Sequence, residues 1–158
     1  SSATMAITML LAASGLIDFK LAVAMVLGEN IGTTITANIA AAVANTSAKR
    51  AARAHTIFNV IGVVWVLALF VPIVKLICVI MVKLGFQDPM MASAQLAAIA
   101  DGSVIAGEET MSELKDSLLY GIAMLHTLFN VTNTLVLIWF TPHTESCNAI
   151  CHITEFLS

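Results

Sequence analysis

Apolar residues run from Ala3 to Ile17, about 15 positions, and stop at Asp18-Phe19-Lys20. The pattern resumes over Leu21 to Leu27, breaks at Gly28-Glu29-Asn30-Ile31-Gly32, and resumes from Thr33 to Ala44. A helix needs about 20 apolar residues to cross the hydrocarbon core of a bilayer. None of these three pieces spans alone. Short, glycine-interrupted apolar segments are the mark of re-entrant hairpins and broken helices, which bilayers tolerate where they line a protein-enclosed cavity. The pattern therefore predicts a re-entrant helical hairpin and a broken helix over residues 1–45.

Asn45 to Arg53 reads as a polar connector and holds three of the seven basic residues, Lys49, Arg50 and Arg53. The positive-inside rule puts it in the cytoplasm. Residues 51–83 predict a transmembrane helix kinked near Pro72, with Lys75 and Lys83 snorkelling to the far interface. Residues 85–117 form the most polar stretch, with five acids and one lysine between Asp101 and Asp116. They read as a solvated loop with a short helix over Met90 to Ala100. Leu118 to Phe140 predicts a second transmembrane helix, and residues 141–158 a tail. One short string recurs: His55-Thr56-Ile57-Phe58-Asn59-Val60 returns 71 residues later as His126-Thr127-Leu128-Phe129-Asn130-Val131. Each copy opens an apolar stretch that reaches a proline, Pro72 or Pro142.

Composition sharpens this into one membrane domain. Of 158 residues, 59% are hydrophobic and 11% charged, with a mean hydropathy of +0.94. A soluble domain carries about 25% charged residues, and a small one has too much surface to hide so much apolar area. The natural solvent is lipid. A net charge of −3 leaves no electrostatic footprint for nucleic acid, and the hydropathy excludes disorder. Three cysteines are too few for a disulfide scaffold. The start at Ser1-Ser2-Ala3-Thr4 has neither the basic region of a signal peptide nor an initiator Met, as expected of a segment that begins inside a longer protein.

Four groups of residues are candidates for chemistry. The first runs from Gly28 to Asn38 and places six polar side chains in ten residues: Glu29, Asn30, Thr33, Thr34, Thr36 and Asn38. Two glycines four apart let the backbone unwind and approach a ligand. Thr33 and Thr34 would then open a half-helix whose free N–H groups and positive dipole end attract an anion. Freed carbonyls, hydroxyls and the Glu29 carboxylate are hard oxygen ligands for an alkali cation. The second group is Ser1-Ser2-Ala3-Thr4, residues suited to N-capping and, beside the first group, to a second helix start facing the same anion.

The third group is the pair of His-Thr-x-Phe-Asn strings. His55 and Asn59 share a helix face, as do His126 and Asn130. Asn133 extends the second stripe where Gly62 stands in the first. Interhelical hydrogen bonding is the ordinary role for such residues, with gating or substrate contact as the other. The fourth is His143, Cys147, Cys151 and His152. Ligands four residues apart rise about 6 Å along a helix, too far for all to close on one zinc at about 2.0–2.3 Å. No metal site is expected. A His-Glu-x-x-His or Gly-x-Ser-x-Gly motif is absent from the sequence, so nothing points to an enzyme.

Three strings in order, Ser1-Ser2-Ala3-Thr4-Met5-Ala6-Ile7, Gly28-x-Asn30-Ile31-Gly32-Thr33-Thr34-x-Thr36 and Ala54-His55-x-x-Phe58-Asn59-x-x-Gly62, resemble the sodium/phosphate cotransporters. The closest likeness is to the bacterial members related to the type II transporters, over roughly Ser1 to Phe140. That family carries a Gln-Ser-Ser-Ser signature in each of two inverted repeats, and Ser1 and Ser2 match its last two serines. The resemblance implies an all-α integral membrane protein, half of an inverted-repeat transporter, made of the second repeat and its closing helices.

It further implies sodium-coupled transport of inorganic phosphate, with Na+ as the coupling ion. The matching substrate residues are Ser1, Ser2, Asn30, Thr33 and Thr34, and the matching sodium residues are Ser2, Glu29, Asn30 and Thr33. Glu29 stands where animal members usually have a small residue, so a carboxylate there adds a cation site or a proton-sensitive one. The implied partners are phosphate, the lipid bilayer, and the first repeat of the same transporter or a second copy. The implied location is a multi-pass place in a cell membrane, the inner membrane of a bacterium. Two other readings stay open: a non-transporting membrane module of the same fold, and a carrier of another oxyanion such as sulfate or arsenate.

Overall fold

The computed structural model describes residues 2–140, as main chain only at Ser2 and at 137–140. Ser1 and the tail with His143, Cys147, Cys151 and His152 lie outside the described residues. The described chain is all helical: α1 (Ser2–Ala13), α2 (Phe19–Ala41), α3 (Thr46–Ala68), α4 (Phe70–Lys83), α5 (Pro89–Ala100) and α6 (Glu108–Phe140). Local signals set the starts. Asp18 caps α2 by accepting from the Leu21 N–H at 2.7 Å, and Asn45 caps α3 by accepting from Ala48 at 2.9 Å. Asp88 caps α5 from Met90 at 2.8 Å, just ahead of Pro89, which supplies a preset helical φ. Asp18 thus starts a helix as well as ending an apolar run.

The expected broken helix is corrected. α2 runs without interruption through Gly28 and Gly32, and neither glycine has a positive φ. α3 takes in most of the polar stretch from Asn45 to Arg53, and the stretch 85–117 holds α5 and the first turns of α6. The helix break near Pro72 falls at Leu69, where φ is −106° and ψ is 23°. Proline has no N–H to give to the Ala68 carbonyl, and its ring crowds that turn. The ladder resumes at once, with Ile73 N–H donating to the Leu69 carbonyl at 3.0 Å.

The core is a three-sided seam around α6. Its buried residues Leu114, Leu118, Ile122, Leu125 and Phe129 recur every three or four positions, so they line one face. Against them pack Phe19, Val23 and Val26 of α2, Val74, Ile77 and Met81 of α4, and Leu96 of α5. Outside this seam the protein is apolar too. Among the described residues 25 large hydrophobics are exposed, more than the 21 hydrophobic residues that are buried. Val60, Ile61, Val64 and Leu67 form such a stripe along α3. A water-facing surface is not built this way. Among the described residues one helix, Thr46–Ala68, is long and apolar enough to cross a membrane.

α1 and α2 form a helical hairpin whose turn rests on α5. Gly15 in that turn has φ +73°, and a Cβ there would lie 2.4 Å from the Leu96 carbonyl oxygen. Beyond α5, Asp101 accepts from the Ser103 hydroxyl and from its N–H at 2.9 Å, which holds the Asp101 carboxyl below its ordinary range. Gly15→Ala combines a left-handed backbone with a clash against main chain that cannot rotate away. It is expected to destabilise the protein by about 2–4 kcal/mol, read as a lower midpoint of thermal unfolding in detergent. An unchanged midpoint would show that the turn does not sit on α5.

Candidate functional site

The middle of α2 explains how one helix carries six polar side chains unbroken. Asn30 donates its amide to the Val26 carbonyl at 3.0 Å, and the Thr33 hydroxyl donates to Glu29 at 2.8 Å. Thr34 donates to Ile31 at 2.7 Å, Thr36 to Thr33 at 2.8 Å, and Asn38 to Thr34 at 2.8 Å. Each of these side chains gives one hydrogen to a carbonyl one turn back, so much of their polarity is satisfied within the helix. Thr33 and Thr34 therefore lie in mid-helix rather than at a half-helix start. The anion-binding dipole end expected there does not exist.

Two clefts flank this stretch. One, of about 320 Å³, takes Asn30 and Thr33 from α2, His55, Phe58 and Asn59 from α3, and His126, Asn130, Asn133 and Thr134 from α6. The other, of about 430 Å³, is lined by Thr4 of α1 and by Gly28, Glu29, Gly32, Thr33 and Thr36 of α2. Thr33 lines both. Thr8, fully buried and outside the lining of this cleft, donates its hydroxyl to the Glu29 carboxylate at 3.0 Å. That bond ties α1 to α2 and orients the acid.

The repeated string builds the first cleft symmetrically. Asn59 donates to its own His55 carbonyl at 2.9 Å, and Asn130 to its own His126 carbonyl at 2.7 Å. Seven residues after each histidine stand Gly62 and Asn133, and here the helices meet. A Cβ on Gly62 would lie 2.3 Å from Asn133 Nδ2. The missing side chain on α3 makes room for the amide of α6. A second polar link joins α2 to α3, where Asn38 donates to the Thr56 hydroxyl.

The residues singled out in the sequence divide as follows. Asn30, Thr33, His55, Asn59, His126 and Asn130 come together in one cleft, and Glu29 lines the other. Ser2 is the first residue of α1, two positions before Thr4, while Ser1 lies outside the described residues. Thr34 lines neither cleft. It is fully buried with its hydroxyl on Ile31. Thr8 and Thr134 are not among the sequence candidates. Thr8 lies one turn after Thr4 and Thr134 one turn after Asn130, so helical spacing alone could have found them.

The described residues form an all-helical structure with many apolar side chains outside and polar clefts between helices. Residues 1–98 match the family model described as Na+/Pi-cotransporter, and the chain belongs to that family of transporters. A stretch of 67 residues is 46% identical to the uncharacterized protein YqeW of Bacillus subtilis (strain 168). That match covers 42% of this chain and only 22% of the Bacillus protein. No solved structure matches.

The continuity of α2 can be tested at its glycines. A Cβ at Gly28 or Gly32 would meet nothing within 4 Å, and alanine favours a helix over glycine by about 1 kcal/mol. Gly32→Ala is expected to leave the fold intact and raise the unfolding midpoint in detergent. A lowered midpoint would restore the broken helix.

Proposed function

We propose that this chain supplies one half of the substrate and ion site of a sodium-coupled carrier of inorganic phosphate. Membership of the Na+/Pi-cotransporter family supports transport of phosphate. The observation that carries the site is Thr33, whose side chain lines both clefts at once. Phosphate cannot cross hydrocarbon unaided, and its charge must be offset where it is held.

In this reading phosphate lies at the start of α1, near Ser1 and Ser2, and takes the free N–H groups of that helix end together with Thr33. Sodium lies on the Glu29 and Asn30 side, where a carboxylate and amide oxygens are hard ligands. The buried Thr8 keeps Glu29 turned toward its cleft. The anion and the cation then share one ridge of α2, so each stabilises the other's place. The open flank of Gly28, Gly32 and Thr36 gives a smooth surface for close helix packing. The first repeat of the same transporter, or a second copy of this chain, fits there and supplies the other half of the site. Rocking of one half against the other exposes the ions to each side in turn. The apolar exterior suits a multi-pass place in a cell membrane, in this reading the inner membrane of a bacterium.

The full-length carrier containing this segment, reconstituted in proteoliposomes, is expected to take up labelled phosphate on a sodium gradient and to stop when choline replaces sodium. Bound phosphate draws the Thr33 proton away from the Glu29 carbonyl, so Thr33→Ala removes one charge-assisted hydrogen bond and is expected to cut uptake about tenfold. Unchanged uptake by Thr33→Ala would remove the site assignment. Uptake by the wild type that ignores both sodium and competing phosphate would remove the function itself.

A further inference from the structure

The cleft between α2, α3 and α6 has a donor and acceptor pattern that its residue names do not reveal. Five of its side chains donate one turn back along their own helix. Asn30 donates to Val26, Thr33 to Glu29, Asn59 to His55, Asn130 to His126 and Thr134 to Asn130, at 2.7 to 3.0 Å. A main-chain carbonyl only accepts, so in each asparagine the atom facing it is the nitrogen and not the oxygen. Each Oδ1 is left uncommitted, and each threonine oxygen keeps its lone pairs. Three helices thereby present neutral oxygens, together with the second amide hydrogens and the His55 and His126 imidazoles, around one space of about 320 Å³.

Neutral, hard oxygens suit an alkali cation. No carboxylate lines this cleft to favour a divalent ion. Among the described residues no three His, Cys, Asp or Glu side chains gather to hold a transition metal. We infer that Asn59 of α3 and Asn130 of α6 complete, with Asn30 and Thr33 of α2, a neutral binding site for a sodium ion. The two copies of His-Thr-x-Phe-Asn then have a shared purpose: each brings one amide oxygen to the same ion from opposite helices. The site also reads helix position, because its ligands come from three helices and bind together only when all three are packed as here. This inference rests on the sodium-coupled reading above; it puts the ion on the Asn30 side of α2, adds ligands outside α2, and leaves Glu29, which lines the other cleft, out of this site.

The test uses the full-length carrier in proteoliposomes, with labelled phosphate uptake measured against sodium and, separately, against phosphate. Asn59→Leu and Asn130→Leu remove an oxygen ligand from the ion. Each is expected to raise half-saturating sodium about tenfold and to leave half-saturating phosphate, at saturating sodium, unchanged. Asn59→Asp separates a ligand from a structural prop. Its carboxylate cannot donate to the His55 carbonyl but keeps an oxygen in the cleft, so half-saturating sodium is expected to stay or fall. A rise as large as that of Asn59→Leu would show a structural role and overturn the site. A rise in half-saturating phosphate instead would show that the cleft holds the anion, and would overturn it too. Sodium-coupled uptake that none of these variants alters removes this inference alone, whereas wild-type uptake indifferent to sodium removes the reading beneath it. Where a variant does not transport, thermal unfolding in detergent decides. Sodium chloride over choline chloride is expected to stabilise the wild type and not Asn59→Leu, and equal protection of both overturns the site.

Discussion

In a low-dielectric surrounding a polar hydrogen without a partner costs several kcal/mol, and in this protein that constraint is met within each helix. Asn30, Thr33, Thr34, Thr36 and Asn38 all donate to carbonyls three or four residues earlier in α2. Asn59, Asn130 and Thr134 do the same in α3 and α6. The helices can therefore pack as smooth rods while carrying amides and hydroxyls. With one hydrogen of each group turned into its own rod, the oxygens and the second amide hydrogens remain for the spaces between them. The straightness of α2 and the chemistry of the clefts have one cause.

Packing then decides which oxygens meet. The gap at Gly62 admits Asn133 and brings α3 against α6, so the two histidine-led strings face one space instead of two patches of lipid. The α1–α2 hairpin is fastened at two points. Gly15 seats its turn on the α5 backbone, and Thr8 bonds Glu29 across its middle. The apolar seam along α6 sets the register of these contacts, because α2, α4 and α5 all bury residues against it. The large hydrophobics left outside suit a solvent that needs no polar surface.

For an ion carrier this arrangement has a direct use. Thr33 lies on a ridge between a cleft that contains a carboxylate and a cleft of amides and imidazoles. A single helix thus separates the two environments by the width of one side chain. In the proposed function, occupation of one side would be felt on the other through the same residue, without a long chain of intermediates. Coupling of two ions of opposite charge needs that closeness, since attraction between charges falls with distance and with intervening solvent.

Much of this could be read from the residues in order. Hydropathy alone called for helices in lipid, and the family strings named Glu29, Asn30 and Thr33. The spacing of His55 to Asn59 and of His126 to Asn130 put each pair on one face. The sequence misled at Gly28 and Gly32, because glycines and polar residues together resemble a break. Whether a helix breaks there depends on whether its hydroxyls and amides find carbonyls within the helix, which composition does not say. Thr34 parts from Thr33 for a geometric reason: one step on a continuous helix rotates a side chain by about 100°, out of the cleft and into the core. The chain by itself determined which residues are polar, how they are spaced and what solvent they need, since these follow from transfer free energies and the helical repeat. Only the tertiary structure decided that two strings 71 residues apart share one cleft, because their meeting depends on a missing side chain at Gly62 and the amide of Asn133 that fills its place.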